Sequence, residues 1–299
     1  MSEEVPPGPY DEGPSGLPPP PDQARVPVRG AGDIIGHAFE IYGKNARQLL
    51  VIVAVISVPL SVLSWLITQI VLGPKTRSVV FQGRVLQVPE PRSAVIGVLS
   101  VLVGLVITII ISAILQAALL RGASQATIGD PVDVQTSYRW GLRRFGGVIL
   151  VSLLVAIAVF LGFVPGIVIA LGIPVLGVIV AIIGGIVLLI LLSMSTPALV
   201  VENLRATDAM RRSWKLVRAH FWHALSVILV ASLITGLVGG LIGAIGGSND
   251  VLRLIFGAVA RILVAPYSAL VSVLLYVDLR ARGEGLTPSG LRAELAHDV

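Results

Sequence analysis

Cysteine is absent from this chain, so disulfides, thiolate nucleophiles and cysteine-ligated metals are excluded together. Charge is scarce. Asp, Glu, Lys and Arg make up 13% of the 299 residues, against about a quarter in a soluble domain. There are four histidines: His37, His220, His223 and His297. Acidic side chains are missing altogether from six apolar stretches, at 49–72, 94–120, 148–163, 175–196, 222–245 and 256–277. A helix needs about 20 apolar residues to cross the hydrocarbon core of a bilayer. With 55% apolar residues and a mean hydropathy of +0.91, little sequence is left for a soluble domain. The expected fold is all-α, a polytopic bundle of six transmembrane helices.

Residues 1–30 are acidic and rich in proline (Pro6, Pro7, Pro9, Pro14 and Pro18 to Pro21). They lack the basic start and apolar core of a signal peptide, and read as a disordered cytoplasmic tail. A membrane domain follows at 31–285. A short cytoplasmic C-terminal helix or tail occupies 286–299, where Thr287 and Pro288 suit a helix start carrying Leu291 and Leu295. Helix breakers at Pro165, Gly166, Gly172 and Pro174 put the turn between spans three and four within 163–174. Pro59 and Pro266 predict kinks in spans one and six. Between spans one and two, residues 78–88 alternate in the manner of a β-hairpin turning at Gln82 and Gly83.

Basic residues set the orientation. With the N-terminus inside, sixteen of the 22 Lys and Arg fall on the cytoplasmic side. The outside holds five: Lys75, Arg77, Arg84, Arg92 and Arg253. That asymmetry predicts a plasma-membrane protein with both termini cytoplasmic. The basic residues lie beside spans, so anionic phospholipid is the expected counterpart and nucleic acid is not. Nineteen arginines against three lysines read as GC-rich codon usage and a bacterial source.

Three cytoplasmic segments share a pattern. Ile35, Phe39, Tyr42 and Ala46 recur at helical spacing before span one. Val134, Tyr138, Gly141 and Phe145 repeat it before span three, and Met210, Trp214, Val217 and Phe221 before span five. Asp33, Asp133 and Asp208 stand near the three starts, where a helix dipole favours negative charge. The pattern suggests a threefold repeat of an amphipathic interfacial helix and a transmembrane hairpin, the aromatic side facing lipid.

Three segments carry a family resemblance. They are PALVVE ending at Glu202, AMRRSWKLVR at 209–218 and LYVDLRARGEG at 275–285, with GDIIGHAFEIY at 32–42 beside them. Over roughly 32–295 the chain resembles the glycerophosphoryl diester phosphodiesterase membrane-domain family. The resemblance implies a membrane module that in some members precedes a soluble phosphodiesterase barrel. Such a barrel would need about 250 residues and a metal held by His and carboxylates, which this sequence does not supply. No cofactor and no enzymatic activity are expected.

Candidate functional residues cluster on the cytoplasmic side. Arg211, Arg212, Trp214, Lys215 and Arg218 precede span five, Glu202 lies upstream, and Asp278, Arg280, Arg282 and Glu284 close span six. Asp278 or Glu284 would pair with Arg211 or Arg212, and Arg280 or Arg282 with Glu202. The cluster would meet anionic lipid or a partner protein. His220 and His223, one turn apart, are a weak metal motif without a suitably spaced carboxylate. Within the spans Arg261 alone is a candidate for handling an ion, an anion contact that could also snorkel to the interface or bond a carbonyl. Gly236, Gly239, Gly240, Gly243 and Gly247 read as a close-packing face in span five. A permease or lipid-handling transporter is the alternative function, and a membrane subunit for a separate phosphodiesterase the second.

Overall fold

The computed structural model describes residues 26–67, 76–81, 84–89, 94–247 and 249–296. The elements are α1 (Ala31–Ile67), β1 (Thr76–Phe81), β2 (Arg84–Pro89), α2 (Ala94–Thr127), α3 (Val134–Ala170), α4 (Pro174–Leu191), α5 (Ser195–Val201), α6 (Ala206–Ala219), α7 (Phe221–Ile245), α8 (Asp250–Glu284) and α9 (Pro288–Ala296). Six of these helices are long and apolar enough to cross a bilayer. Lipid offers the backbone no hydrogen bonds, so spans must close their own ladders as helices. The chain is a multi-pass helical membrane protein. Its one described sheet is the predicted hairpin, which pairs Thr76 with Pro89 and closes at Phe81 opposite Arg84. Gln82 and Gly83, the expected turn of the hairpin, lie outside the described residues, as do residues 1–25 and 68–75.

The turn between spans three and four falls at residues 171–173, inside the expected window of 163–174 and at its far end. Pro165 lies within α3, which runs on to Ala170 past the expected end of span three at 163, and Pro174 opens α4. Helical dihedrals likewise persist past Pro59, and α8 continues through Pro266. Proline costs less inside a packed membrane helix, where neighbouring groups take up the freed carbonyl. The glycines around Pro165 explain why the α3–α4 hairpin is so close. A Cβ on Gly166 would stand 2.1 Å from the Ala181 nitrogen, and one on Gly177 2.2 Å from that of Ala170. The predicted glycine face of span five behaves differently. Gly236, Gly240, Gly243 and Gly247 meet nothing within 4 Å, and Gly239 only Val264. Close packing by glycine therefore belongs to α3 and α4, and α7 keeps an unfilled face.

The three amphipathic segments also diverge. The third forms its own helix, α6, separated from α7 by His220 at φ −132° and ψ 41°. The first runs into span one, with a single non-helical residue at Asn45. Asn45 and His220 are related by the same 175-residue offset that relates the stripes. In α3 the segment and span three are one uninterrupted helix. The shared aromatics do not share an environment. Phe39 packs on the Tyr267 ring at 4.4 Å, Tyr138 donates to the Ile52 carbonyl, and Trp214 is 40% exposed. On α6 the buried side is Ala206, Ala209, Ser213, Leu216 and Val217, about a third of a turn from the stripe expected there. Packing against the bundle, not lipid, selects that face: Ser213 donates to the Leu191 carbonyl at 2.7 Å and accepts from the Met194 N–H at 3.1 Å.

The last span is the hub. Half of the apolar window of α8 is buried, against 6% of that of α7. It packs on α1, α2 and α7. Its buried side, from Tyr267 through Leu270, Val273, Leu274 and Val277, carries much of the core.

Candidate functional site: a charge network at one end of the bundle and a polar cavity

The charged end of α8 alternates in sequence, but the helix sorts it into two faces. Tyr276, Arg280 and Glu284 are four residues apart and share one side; Asp278 and Arg282 share another.

On the first side α8 meets α5, α6 and α9. Glu202, at the C-terminus of α5, accepts from the Arg212 Nε at 3.0 and 3.1 Å and from its Nη2 at 2.9 Å. Arg212 also reaches Glu284, with Nη2–Oε2 at 2.6 Å. The Tyr276 hydroxyl donates to Glu202, and the Arg280 Nε lies 3.1 Å from the same carboxylate. Arg280 then forks onto Glu294 of α9 at 2.7 and 2.9 Å. The hydrogen bonds to Glu284, followed by those to Glu202, raise the Arg212 pKa above its already high value, against the opposing cost of burial. Its charge is permanent.

On the second side, Asp278 is 3% exposed. It accepts from the Arg282 Nε at 2.7 Å and lies 2.9 Å from the His223 Nε2. It also takes the backbone N–H of Arg29 at 2.7 Å, while Arg282 donates to the Arg29 carbonyl at 2.5 Å. Residues 26–30, assigned to the tail by composition, are thereby strapped to α8, and the Val26 N–H bonds the Leu286 carbonyl at 2.9 Å. Gly285 ends α8 in the left-handed region at φ 61°. Gly283 is still helical.

The expected pairing of collar and tail is present, with changed partners. Arg212 takes both acidic partners, while Arg211 is exposed and outside the network. Arg280 meets Glu202, whereas Arg282 pairs within its own helix. His223 serves Asp278, and among the described residues no group of three or more His, Asp and Glu is placed to hold a metal. Sequence periodicity missed Glu294 and Tyr276; both lie one or more helical turns from residues it identified, which was the available signal. Lys215, Arg218 and Trp214 share the exposed surface of α6 with Arg211. Arg121 is inside α2, 2% exposed, and 5.9 Å from the Trp140 ring centroid.

Arg261 lies apart from all of this. It is exposed, and among the described residues it has no hydrogen bond or ion pair, including the carbonyl contact considered from sequence. It lines a cavity of about 440 Å³ between α2, α5 and α8, together with Ser112, Gln116, Thr196, Ser268 and Ser272. Ser112 and Gln116 border this space and make no bond across helices among the described residues. Among the described residues no carboxylate lines it. An apolar groove of about 290 Å³ touches the other side of Arg261, between Gly239 of α7 and Ala260 and Val264 of α8.

No family model, curated protein or solved structure matches this chain.

Proposed function

We propose that this chain is a bacterial plasma-membrane protein with both termini cytoplasmic, without catalytic activity of its own, that engages anionic lipid headgroups through the outer surface of its collar. The observation carrying this reading is the division of labour on α6. Arg212 is committed to Glu202 and Glu284, while Arg211, Lys215 and Arg218 are exposed and outside any ion pair among the described residues. Arg143 and Arg144 on α3 are exposed in the same way. Trp214 and Trp222, 40% and 77% exposed, supply the amphipathic rings that settle at a headgroup layer. Each basic residue near an anionic surface contributes about 1 kcal/mol. The likeness to the phosphodiesterase membrane-domain family fits a module that organises lipid or partner without hydrolysing anything.

Lipid retained by the purified full-length protein tests the reading. Phosphatidylglycerol should be retained over phosphatidylcholine, less so as salt rises, and less by an Arg211→Gln, Lys215→Gln, Arg218→Gln triple variant. Equal retention of both lipids by both proteins would refute it. For orientation, the lack of native cysteine makes labelling direct. In spheroplasts an impermeant maleimide should reach Ser78→Cys, and Thr207→Cys and Ser289→Cys only after permeabilisation.

A further inference from the structure

We propose that the cavity between α2, α5 and α8 is a binding site for the phosphate-bearing head of one anionic lipid, held by Arg261, with an acyl chain leaving along the groove between α7 and α8. The site stands independently of the collar.

The position of Arg261 is the first reason. It is eleven residues into α8, and Tyr276, where the cytoplasmic network begins, is fifteen residues further on. At 1.5 Å per residue these separations are roughly 16 and 22 Å. Arg261 is therefore well inside a hydrocarbon core about 30 Å thick. Cations are rare at that depth and mark pathways or ligand sites, because an uncompensated one disfavours insertion. Every other arginine on α8 toward the cytoplasm has a carboxylate. Arg261 has none among the described residues, and the cavity wall contributes none. A ligand supplying the missing negative charge completes the site.

Among the described residues the free donors beside the cavity include the Arg261 guanidinium and the Gln116 amide, whereas the Ser268 and Ser272 hydroxyls donate to the Val264 and Ser268 carbonyls at 3.2 and 2.8 Å. The guanidinium and the amide together match a phosphate better than a simple halide. Arg261, Ala265, Ser268 and Ser272 follow each other at i, i+4, i+7 and i+11 and so form one stripe on α8. Ser112 and Gln116, at i and i+4, form the facing stripe on α2. The Gln116 amide is exposed and has no partner among the described residues, which leaves its two N–H donors for an anion. A fork of guanidinium donors beside an amide suits several oxygens on one centre. The volume of about 440 Å³ exceeds what one small ion needs and falls within the range of small-molecule pockets.

The groove argues for a lipid. Arg261 and Ala265 line both spaces, so polar and apolar compartments meet at one side chain. The apolar compartment is there because Gly239 offers no side chain. An amphiphile fills both compartments at once; free phosphate fills one.

The test uses full-length protein in a neutral maltoside detergent at about 1 M salt, where screening falls to ~3 Å and exposed collar charges are silenced. Dioctanoyl phosphatidic acid, dioctanoylglycerol and inorganic phosphate are titrated by calorimetry. Phosphatidic acid should bind with a stoichiometry of one, at least tenfold tighter than either other probe. Arg261→Gln should weaken it tenfold or more. Ala265→Phe, which keeps the cation but fills the junction, should do so as well. Dioctanoylglycerol binding equally well would overturn the role of the anion. Phosphate binding as tightly as the lipid, with the same loss in Arg261→Gln, would assign the site to the free ion and overturn the lipid. Affinity unchanged in both variants, or absent at high salt but present at low salt, would place the contact on the collar and overturn the cavity. The collar reading would survive that result, and fails only if the lipid retention described above is indiscriminate.

Discussion

Arg280 and Arg261 lie on the same helix and could not be treated more differently. Arg280 is 5% exposed and surrounded by Glu202, Glu284 and Glu294, with the Tyr276 ring beside it. Arg261 faces a cavity and touches no carboxylate among the described residues. One guanidinium is a structural part of the charged end of the bundle; the other is left available. A buried charge stabilises only when its partners are already in place, so a cation that the fold leaves unanswered points to something outside the fold.

The largest effect should come from Arg280. Its replacement by Ala takes the Arg280 ion pair from Glu294 and leaves Glu202 and Glu284 to share Arg212, and breaking such a buried pair costs about 3–5 kcal/mol. Thermal unfolding in detergent should show it as a large fall in midpoint, whereas Arg261→Ala should stay within about 0.5 kcal/mol of the parent. Comparable losses in the two would dissolve the contrast. Glu202→Gln comes next, weakening its contacts with three partners, Arg212, Tyr276 and Arg280, at once, by about 2 kcal/mol on the scale for bonds to charged groups. A double-mutant cycle of Glu202→Ala with Arg212→Ala should give a coupling of about 1–3 kcal/mol. Additivity would mean that Arg212 is as free as Arg211.

The same contrast recurs among glycines. Gly166→Ala forces a Cβ onto the Ala181 backbone and should destabilise by about 1–3 kcal/mol. Gly240→Ala meets open space and should be neutral or stabilise by up to about 1 kcal/mol through helix propensity. The smallest effect belongs to Asp133, the N-cap of α3, which accepts from the Gln135 N–H at 3.0 Å and from Thr136. The Thr136 hydroxyl, chiefly, holds its carboxyl below the usual range. A depressed pKa adds stability above the unfolded value of about 4, and that stability is lost as pH falls through the folded value. Unfolding midpoints should therefore separate slightly between the parent and Asp133→Asn above pH 5, and converge in acid.

The spans were legible because twenty-residue apolar runs have few other uses. The hairpin was legible because alternation over 78–88 has a single reading. The charge network was half legible. Opposite charges before span five and after span six announce a meeting, but period-two alternation in Asp278 to Glu284 does not say which charge faces which helix until the helix is wound and its neighbours placed. Pro165 and the glycines were misread for one reason. Breaker residues and small residues have two outcomes in a membrane, and the neighbouring helix decides between them. Gly166 has Ala181 against it; Gly240 has nothing. The cavity beside Arg261 needed three helices in space, and no local pattern encodes that.

Because the hub is the final span, the order of synthesis opposes the order of packing. The surface that α1, α2 and α7 present to α8 exists before α8 does, and Asp278 must emerge before the Arg29 backbone has anything to bond. The bundle therefore matures in two parts: α2, α3 and α4 pack on one another without α8, whereas the faces of α1 and α7 and the backbone of Arg29 wait for it. Translation halted between α7 and α8 should yield a chain that resists protease over α2 to α4 and is cut at α1 and α7, and release of α8 should protect those two together.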